Sequence, residues 1–203
     1  LKRDIEGQKR DIEKFRSHIV NPCTYSDIAL QSISLLNNRI SIPPEEKAGF
    51  ILKRIEKIPS LLSTAMKNLK NPPRSFREAA IASCYGGMVF LADLIPSLAE
   101  KVPHLGKELE KNKEKLLDAM GTYRKFLETD LSGCNGDFAT GKELFDELLS
   151  DDYMLDCKSE EILSAGKSLF ERTVKKLEEL AYNIDRTRTW KEIYSDIRLK
   201  HPS

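Results

Sequence analysis

Apolar residues recur at a helical spacing in each stretch of this 203-residue chain that lies between its proline- and glycine-containing breaks. In the first stretch, Leu1, Ile5, Ile12, Phe15 and Ile19 stand in a charged background and would share one face of a helix ending near residues 21–22. No stretch alternates apolar and polar residues as a half-buried strand would. The pattern predicts an all-α fold, an irregular multi-helix bundle of about eight or nine helices.

Helix starts are predicted where Ser or Thr is followed three residues later by an acidic residue, because the two side chains can then bond each other's backbone N–H groups. Proline marks the breaks: Pro59 interrupts a helix, and Asn71, Pro72 and Pro73 predict a rigid corner. The predicted capping pairs are Thr24 with Asp27, Ser75 with Glu78, Thr140 with Glu143, and Thr189 with Glu192.

Residues 76–95 are apolar nearly all round, which predicts the central and most buried helix. Gly86 and Gly87 in its middle each cost about 1 kcal/mol of helix propensity relative to alanine. We therefore expect another helix to approach closely there. No uninterrupted apolar run nears the roughly 20 residues that cross a bilayer, so we expect no membrane span.

Charge is nearly balanced, with 33 Lys and Arg against 32 Asp and Glu, so the overall balance attracts the chain neither to nucleic acid nor to an anionic membrane. The chain begins at Leu1, without an initiator Met or the apolar core of a secretion signal. We expect residues 1–203 to be one helical domain, an N-terminal fragment of a larger protein. Its length suits a single core.

Four scattered cysteines form no C-x-x-C pair and predict free thiols, with Cys84 in the core. Cys134 lies in a glycine-rich loop, and its pairing with Cys157 is the alternative. The free-thiol interpretation is favoured because the spacing does not resemble a disulfide framework.

Catalytic and metal-binding motifs are absent from the sequence. The three histidines are His18, His104 and His201, and none belongs to an H-E-x-x-H motif. His104 and Glu108 could share a helix face, but a surface or capping pair explains them better than a metal. There is no nucleophile elbow or phosphate-binding loop, so the chain is predicted to contain no catalytic residue and no metal ligand.

Three segments together resemble the N-terminal region of the domain-of-unknown-function 885 family, a family predicted to be α-helical zinc peptidases related to the gluzincins. The segments are residues 58–73 (IPSLLSTAMKNLKNPP), 136–149 (GDFATGKELFDELL) and 189–194 (TWKEIY). The resemblance runs from about residue 21 to residue 202. It implies that an H-E-x-x-H zinc helix lies downstream of residue 203.

The resemblance implies a function for the intact protein that this chain cannot perform alone. Residues 1–203 would form one wall of a peptide-binding cleft, with no cofactor of their own, while zinc and peptide hydrolysis belong to the intact protein. The implied partners are the remainder of the same chain, with its C-terminal zinc domain, and a peptide substrate. An autonomous helical protein-interaction module without enzymatic activity is the alternative.

Asp137, Phe138 and Gly141 are the candidate substrate-binding residues, since loops held by rigid helices often line binding clefts. The other interpretation of the same segment is structural: a loop and helix cap, with Phe138 as a buried anchor. Trp190 and Tyr194 are expected to pack rather than to bind a ligand. If the surface that meets the rest of the chain is uncovered, exposed apolar area or a homodimer is expected.

Overall fold

The computed structural model describes residues 2–200, and within that range every regular element is helical, which confirms the all-α bundle. Leu1, the first residue of the predicted stripe, and His201 and Pro202 lie outside the described residues. The elements are α1 (Lys2–Arg10), a π-helical turn (Asp11–Phe15), α2 (Ser17–Val20), α3 (Cys23–Asn37), α4 (Pro44–Ile55), α5 (Ile58–Asn68), α6 (Arg74–Lys101), α7 (Pro103–Thr129), α8 (Lys142–Asp151), α9 (Ser159–Ile184) and α10 (Trp190–Leu199).

The helices group into two compact units, Leu1–Thr140 and Gly141–Ser203. The first unit contains α1 to α7, and the second contains α8 to α10. Each is described by itself below. The expectation of one domain over residues 1–203 stays a prediction.

In the first unit, α6 packs along α7, and α3, α4 and α5 pack against this pair. Burial of large aliphatic side chains, each stabilising by about 1.5 to 3 kcal/mol, holds the helices together. Tyr123 adds a polar link, because its buried hydroxyl donates a hydrogen bond to the carbonyl oxygen of Pro22, 2.8 Å away. The core includes the fully buried Ile33, Ile51, Ile55, Leu62, Leu91, Ile95, Leu109, Leu116, Met120 and Leu127.

Gly87 confirms the predicted close approach on α6. A Cβ atom at this position would lie 2.5 and 2.6 Å from the two methyl carbons of Leu30 on α3 and 3.0 Å from the terminal methyl of Met120 on α7. The missing side chain therefore lets three helices meet. Gly86 differs, since a Cβ there would meet nothing within 4 Å.

The predicted first helix is interrupted at Arg16. This residue has a left-handed backbone, with φ of 54°, and its N–H donates to the carbonyl oxygen of Asp11 at 2.6 Å. The side chain of Asp11 accepts a hydrogen bond from the hydroxyl of Ser17, the first residue of α2. The break arises from this local bonding, which competes with a continuous helix although the apolar period continues through it.

Of the four predicted capping boxes, the one formed by Thr189 and Glu192 is present. Two others are displaced by proline: α3 and α6 begin after Pro22 and Pro73, whose rings fix a suitable φ. Helix α8 begins after Gly141, one residue later than the Thr140 box requires. These three helix starts differ from the predicted ones by only one or two residues.

Helix α6 also meets the length and composition of a membrane span, with a mean hydropathy of 1.5 over an 18-residue window of which 28% is buried. The expectation of no membrane span stays a prediction. A helix-long window passes the criterion because it tolerates isolated charges, such as Asp93, that interrupt an apolar run. The same composition is explained by the core, where Cys84, Leu91 and Ile95 are buried. Length and composition alone do not show that α6 crosses a membrane.

Candidate functional site

The loop that follows α7 is fastened to the corner between α5 and α6. The guanidinium of Arg77 donates to the carbonyl oxygens of Leu131, Ser132 and Cys134. The loop is thereby tied to the first turn of α6. The side chain of Arg77 thus supplies donors to carbonyl groups just beyond the end of α7, where the helix offers none; the Leu131 carbonyl also accepts the N–H of Cys134 at 3.0 Å.

The corner itself supplies the next two bonds. The N–H of Asn135 donates to the side-chain oxygen of Asn71 at 3.3 Å, and the N–H of Gly136 donates to the carbonyl oxygen of Pro72 at 3.2 Å. Asn71 has a left-handed backbone, with φ of 45°, which turns its side chain and carbonyl toward the loop's residues. Two of the segments that carry the family resemblance are therefore in direct contact.

Two of the candidate binding residues lie at the outer end of this loop. Phe138 is 65% exposed, so the buried anchor expected from the structural interpretation is wrong, although its ring packs edge-on against Phe76 at 5.3 Å between centroids. The carboxylate of Asp137 accepts the N–H of Ala139 at 2.9 Å. An exposed aromatic ring on a fastened loop can stack on or pack against an apolar group.

Gly141, the third candidate, begins the second unit, with φ of 84° in the left-handed region that favours glycine. Its carbonyl oxygen accepts the N–H of Phe145 at 3.1 Å, which starts α8. These contacts give Gly141 a structural role in the start of the helix. A role for the three candidates in substrate binding stays a prediction.

No group of three or more His, Cys, Asp or Glu side chains within residues 2–200 is arranged to hold a metal ion. The imidazole of His104 lies 3.5 Å from a carboxylate oxygen of Glu45 on α4. The sequence favoured a surface or capping pair of His104 with Glu108, whereas the exposed ion pair of His104 in the structure is with Glu45. All four cysteines are free thiols.

The helices of the second unit leave a long apolar surface of α9 uncovered. Helix α9 has 26 residues and is about 39 Å long, but Ala181 is its one buried residue. Seven of its large apolar side chains recur at helical spacing and are 36 to 70% exposed. We call this set the α9 apolar face: Ile162, Leu163, Leu169, Phe170, Leu177, Leu180 and Ile184.

A groove of about 640 Å³ lies on the first unit where α3, α4 and α5 meet. Ile28, Leu36, Phe50, Ile58 and Leu61 form most of its apolar floor, and we call it the α3–α5 groove. Its volume is that of a small-molecule or side-chain binding cleft. The sequence pattern did not identify it, because an apolar stripe looks the same whether a neighbouring helix covers it or leaves it open.

Comparison with known proteins places the chain in a family. The model of a family described as "Bacterial protein of unknown function (DUF885)" matches residues 1–203, so the chain belongs to that family. No curated protein matches it. Among solved structures, it is similar to a proposed lipoprotein of unknown function from Shewanella oneidensis, with a TM-score of 0.75 and 17% sequence identity.

That likeness covers 90% of this chain but only 34% of the Shewanella protein, so the chain spans about a third of its structural relative. At this identity the likeness supports the fold alone. It agrees with the all-α architecture described above.

Proposed function

We propose that residues 1–203 are the helical N-terminal part of a larger zinc-dependent peptidase and form one wall of its peptide-binding cleft. The observation that carries the first half of the proposal is the α9 apolar face. Seven apolar side chains at 36 to 70% exposure are unusual unless another surface covers them. The relative in which the same fold occupies a third of the chain suggests that the rest of the polypeptide covers them.

The peptidase activity rests on the three segments that resemble the zinc-peptidase family. In that arrangement zinc would activate water for attack on a peptide bond. The described residues offer no group of three ligands, so the metal would be bound by the remainder of the chain, the C-terminal zinc domain. This region would contribute shape and substrate contacts.

Phe138 and Asp137 are the residues through which this wall would meet a peptide. The loop is fastened at its base by Arg77 and Asn71, while the ring of Phe138 is exposed at its end. A positioned apolar ring beside a carboxylate suits a peptide with an apolar side chain near a basic or amino group. Gly141 would set the direction in which the chain leaves this loop.

The first test is the reading frame beyond Ser203, where an H-E-x-x-H motif followed by an acidic ligand is expected. The second is a comparison of the longer protein with the 203-residue chain, in which we measure bound zinc and hydrolysis of a mixed peptide library. We expect zinc and activity only in the longer protein. Equal activity in both, or a longer protein without zinc or activity, would overturn the peptidase proposal.

The cleft wall is tested by Phe138→Ala in the longer protein, with Tyr85→Ala as the control because Tyr85 is a similarly exposed aromatic residue on α6. Loss of substrate contact should raise KM with little change in thermal midpoint. An unchanged KM would exclude Phe138 from the cleft.

Covering of the α9 apolar face is tested by Leu169→Ser combined with Phe170→Ser, with Glu171→Ser and Arg172→Ser as the control on the same helix. In the longer protein the apolar pair should cost roughly 2 to 5 kcal/mol per side chain. In the 203-residue chain the same pair should cost little and should reduce self-association measured by light scattering. A monomeric 203-residue chain together with an unaffected longer protein would contradict covering by the remainder of the chain and favour the autonomous interaction module.

A further inference from the structure

Four basic side chains border the α3–α5 groove, and no acidic side chain is among the residues that line it. Arg39 follows α3, Lys53 and Arg54 are in the last turn of α4, and Lys57 precedes α5. All four are exposed, and none forms an ion pair with an acidic residue in the part of the chain that the structure describes. We call them the basic rim.

This concentration of charge is local, because the whole chain carries a net charge of only +1. Four like charges around one groove repel each other and create a positive potential that an anion would neutralise. The dipole of α4 favours Lys53 and Arg54 near its end. The helix dipole does not explain the positions of Arg39 and Lys57. It also does not explain why the apolar floor between the four basic side chains remains uncovered.

The apolar floor of the groove favours apolar groups on an occupant, just as the basic rim favours anionic groups. Ile28 is 54% exposed and Phe50 is 40% exposed, so these two side chains of the floor meet water over much of their surface. Covering such surface stabilises a complex by about 25 cal/mol per Å² of apolar area, before the cost of ordering the partner. An occupant must therefore present apolar side chains and carboxylates on one side.

We infer that the α3–α5 groove binds an acidic amphipathic peptide segment, which places apolar side chains on the floor and aligns carboxylates with the basic rim. Helices that recognise grooves do so with apolar residues at i, i+3, i+4 and i+7. The four cations come from three separate places along the groove, which suits several carboxylates on one peptide. A fatty acid has one carboxylate and would leave most of the rim unpaired.

The shape of the groove favours a peptide over a membrane surface. A flat bilayer engages protruding apolar side chains, whereas a concave floor receives side chains that project from a partner. Ile40, which is 98% exposed and does not line the groove, provides a way to separate the two. The inference does not depend on the longer protein being a peptidase.

The probe is a fluorescein-labelled helical peptide of about 15 residues, with leucine at i, i+3, i+4 and i+7 and glutamate at the flanking positions. Its matched controls carry lysine in place of each glutamate, or serine in place of each leucine. Anisotropy is measured with the 203-residue chain at roughly 0.1 M salt and again at about 0.3 M, where the Debye length is about twofold shorter. We expect only the peptide with both leucine and glutamate to bind, with affinity that falls as salt rises.

The variants separate the rim from the floor. Lys53→Glu combined with Arg54→Glu should weaken binding at least about tenfold, because two attractive contacts become repulsive. The control, Lys111→Glu with Lys115→Glu on α7, changes the net charge equally and should leave binding unchanged. Phe50→Ala should also weaken binding, whereas Ile40→Ser should not. Circular dichroism checks that each variant is folded.

Vesicles that contain phosphatidylglycerol test the alternative that the groove region contacts a membrane. Binding to vesicles that is lost in Ile40→Ser, without binding of the acidic peptide, would overturn the inference in favour of a membrane contact. Equal binding of the acidic and lysine-containing peptides, or equal weakening by the groove and α7 charge reversals, would also overturn it.

Discussion

Gly136 touches the backbone of Asn71 so closely that no other residue fits: a Cβ atom at position 136 would lie 2.0 Å from the Asn71 carbonyl oxygen. The contact joins the loop after α7 to the corner before α6. The contact explains why a glycine begins the segment 136–149, one of the three that resemble the family. It also places Phe138 only two residues after the fixed backbone of Gly136.

Gly136→Ala should therefore destabilise the first unit by about 1 to 3 kcal/mol, since the obstructing atoms belong to backbone and cannot rotate aside. Gly133→Ala is the matched control, because a Cβ atom there meets nothing within 4 Å. Urea unfolding followed by circular dichroism measures both. Equal midpoints for the two variants would show that the loop simply moves away.

Tyr123→Phe should cost about 0.5 to 1.5 kcal/mol, the usual contribution of a hydrogen bond, because it removes the donor to the carbonyl oxygen of Pro22. Burial is complete at this position, and burial raises the pKa of the Tyr123 hydroxyl, so the group remains a protonated donor. Tyr85→Phe, on an exposed ring, should leave the free energy of unfolding unchanged. A null result at Tyr123 would mean that the bond contributes nothing net.

The helices were predictable because their signals are local. Apolar residues recur every three or four positions, Pro59 lies in the first turn of α5, the Pro72–Pro73 pair precedes α6, and Gly87 marks a close approach that the structure confirms. The interruption at Arg16 was not predictable from the sequence, since it depends on the hydrogen bonds of Asp11 with its neighbours and not on the apolar period.

The candidate site was less predictable because its contacts join distant residues. Arg77 lies 54 to 57 positions from the carbonyl oxygens that it binds, and no local pattern distinguishes it from any other arginine. The basic rim is partly local, since Lys53, Arg54 and Lys57 are close in sequence, but Arg39 joins them only when α3 packs against α4. The sequence could identify Phe138 as a candidate loop residue, but it could not predict that the side chain is exposed.

Cys84 should resist alkylation in the folded chain. It is 1% exposed, and burial raises the pKa of its thiol to about 12, so the reactive thiolate is scarce near neutral pH. Cys23 should also react slowly, because burial and then the charge of Asp27 raise the pKa of its thiol. Cys134 and Cys157 are more accessible than Cys84.

Timed treatment with iodoacetamide followed by peptide mass spectrometry gives the order of reaction. We expect Cys134 and Cys157 first and Cys84 last, with the differences lost in denaturant. Early labelling of Cys84 would show that the helices around it open readily, which the packing of α6 against α7 does not predict.

Thr189→Ala should shorten or unfold the start of α10. The Thr189 hydroxyl accepts the N–H of Glu192 at 3.4 Å, and replacement of such a cap by alanine costs about 1 kcal/mol. Trp190 is the chain's one tryptophan and the first residue of α10, so its fluorescence reports on this helix directly. Ser195→Ala, within α10, is the control and should leave the signal unchanged.

The other half of the capping box should make α10 sensitive to acid. A carboxylate oxygen of Glu192 accepts the backbone N–H of Thr189 at 2.7 Å and its hydroxyl at 2.8 Å, and these bonds lower the pKa of Glu192 below 4.5. Because the folded pKa is the lower one, the stabilisation is fully present above the ordinary value and is lost as the pH falls through the folded value. Trp190 fluorescence should therefore change below about pH 4.5 in the wild-type chain, and the corresponding step should be absent in Glu192→Gln. An identical acid transition in both would assign the change to other carboxylates.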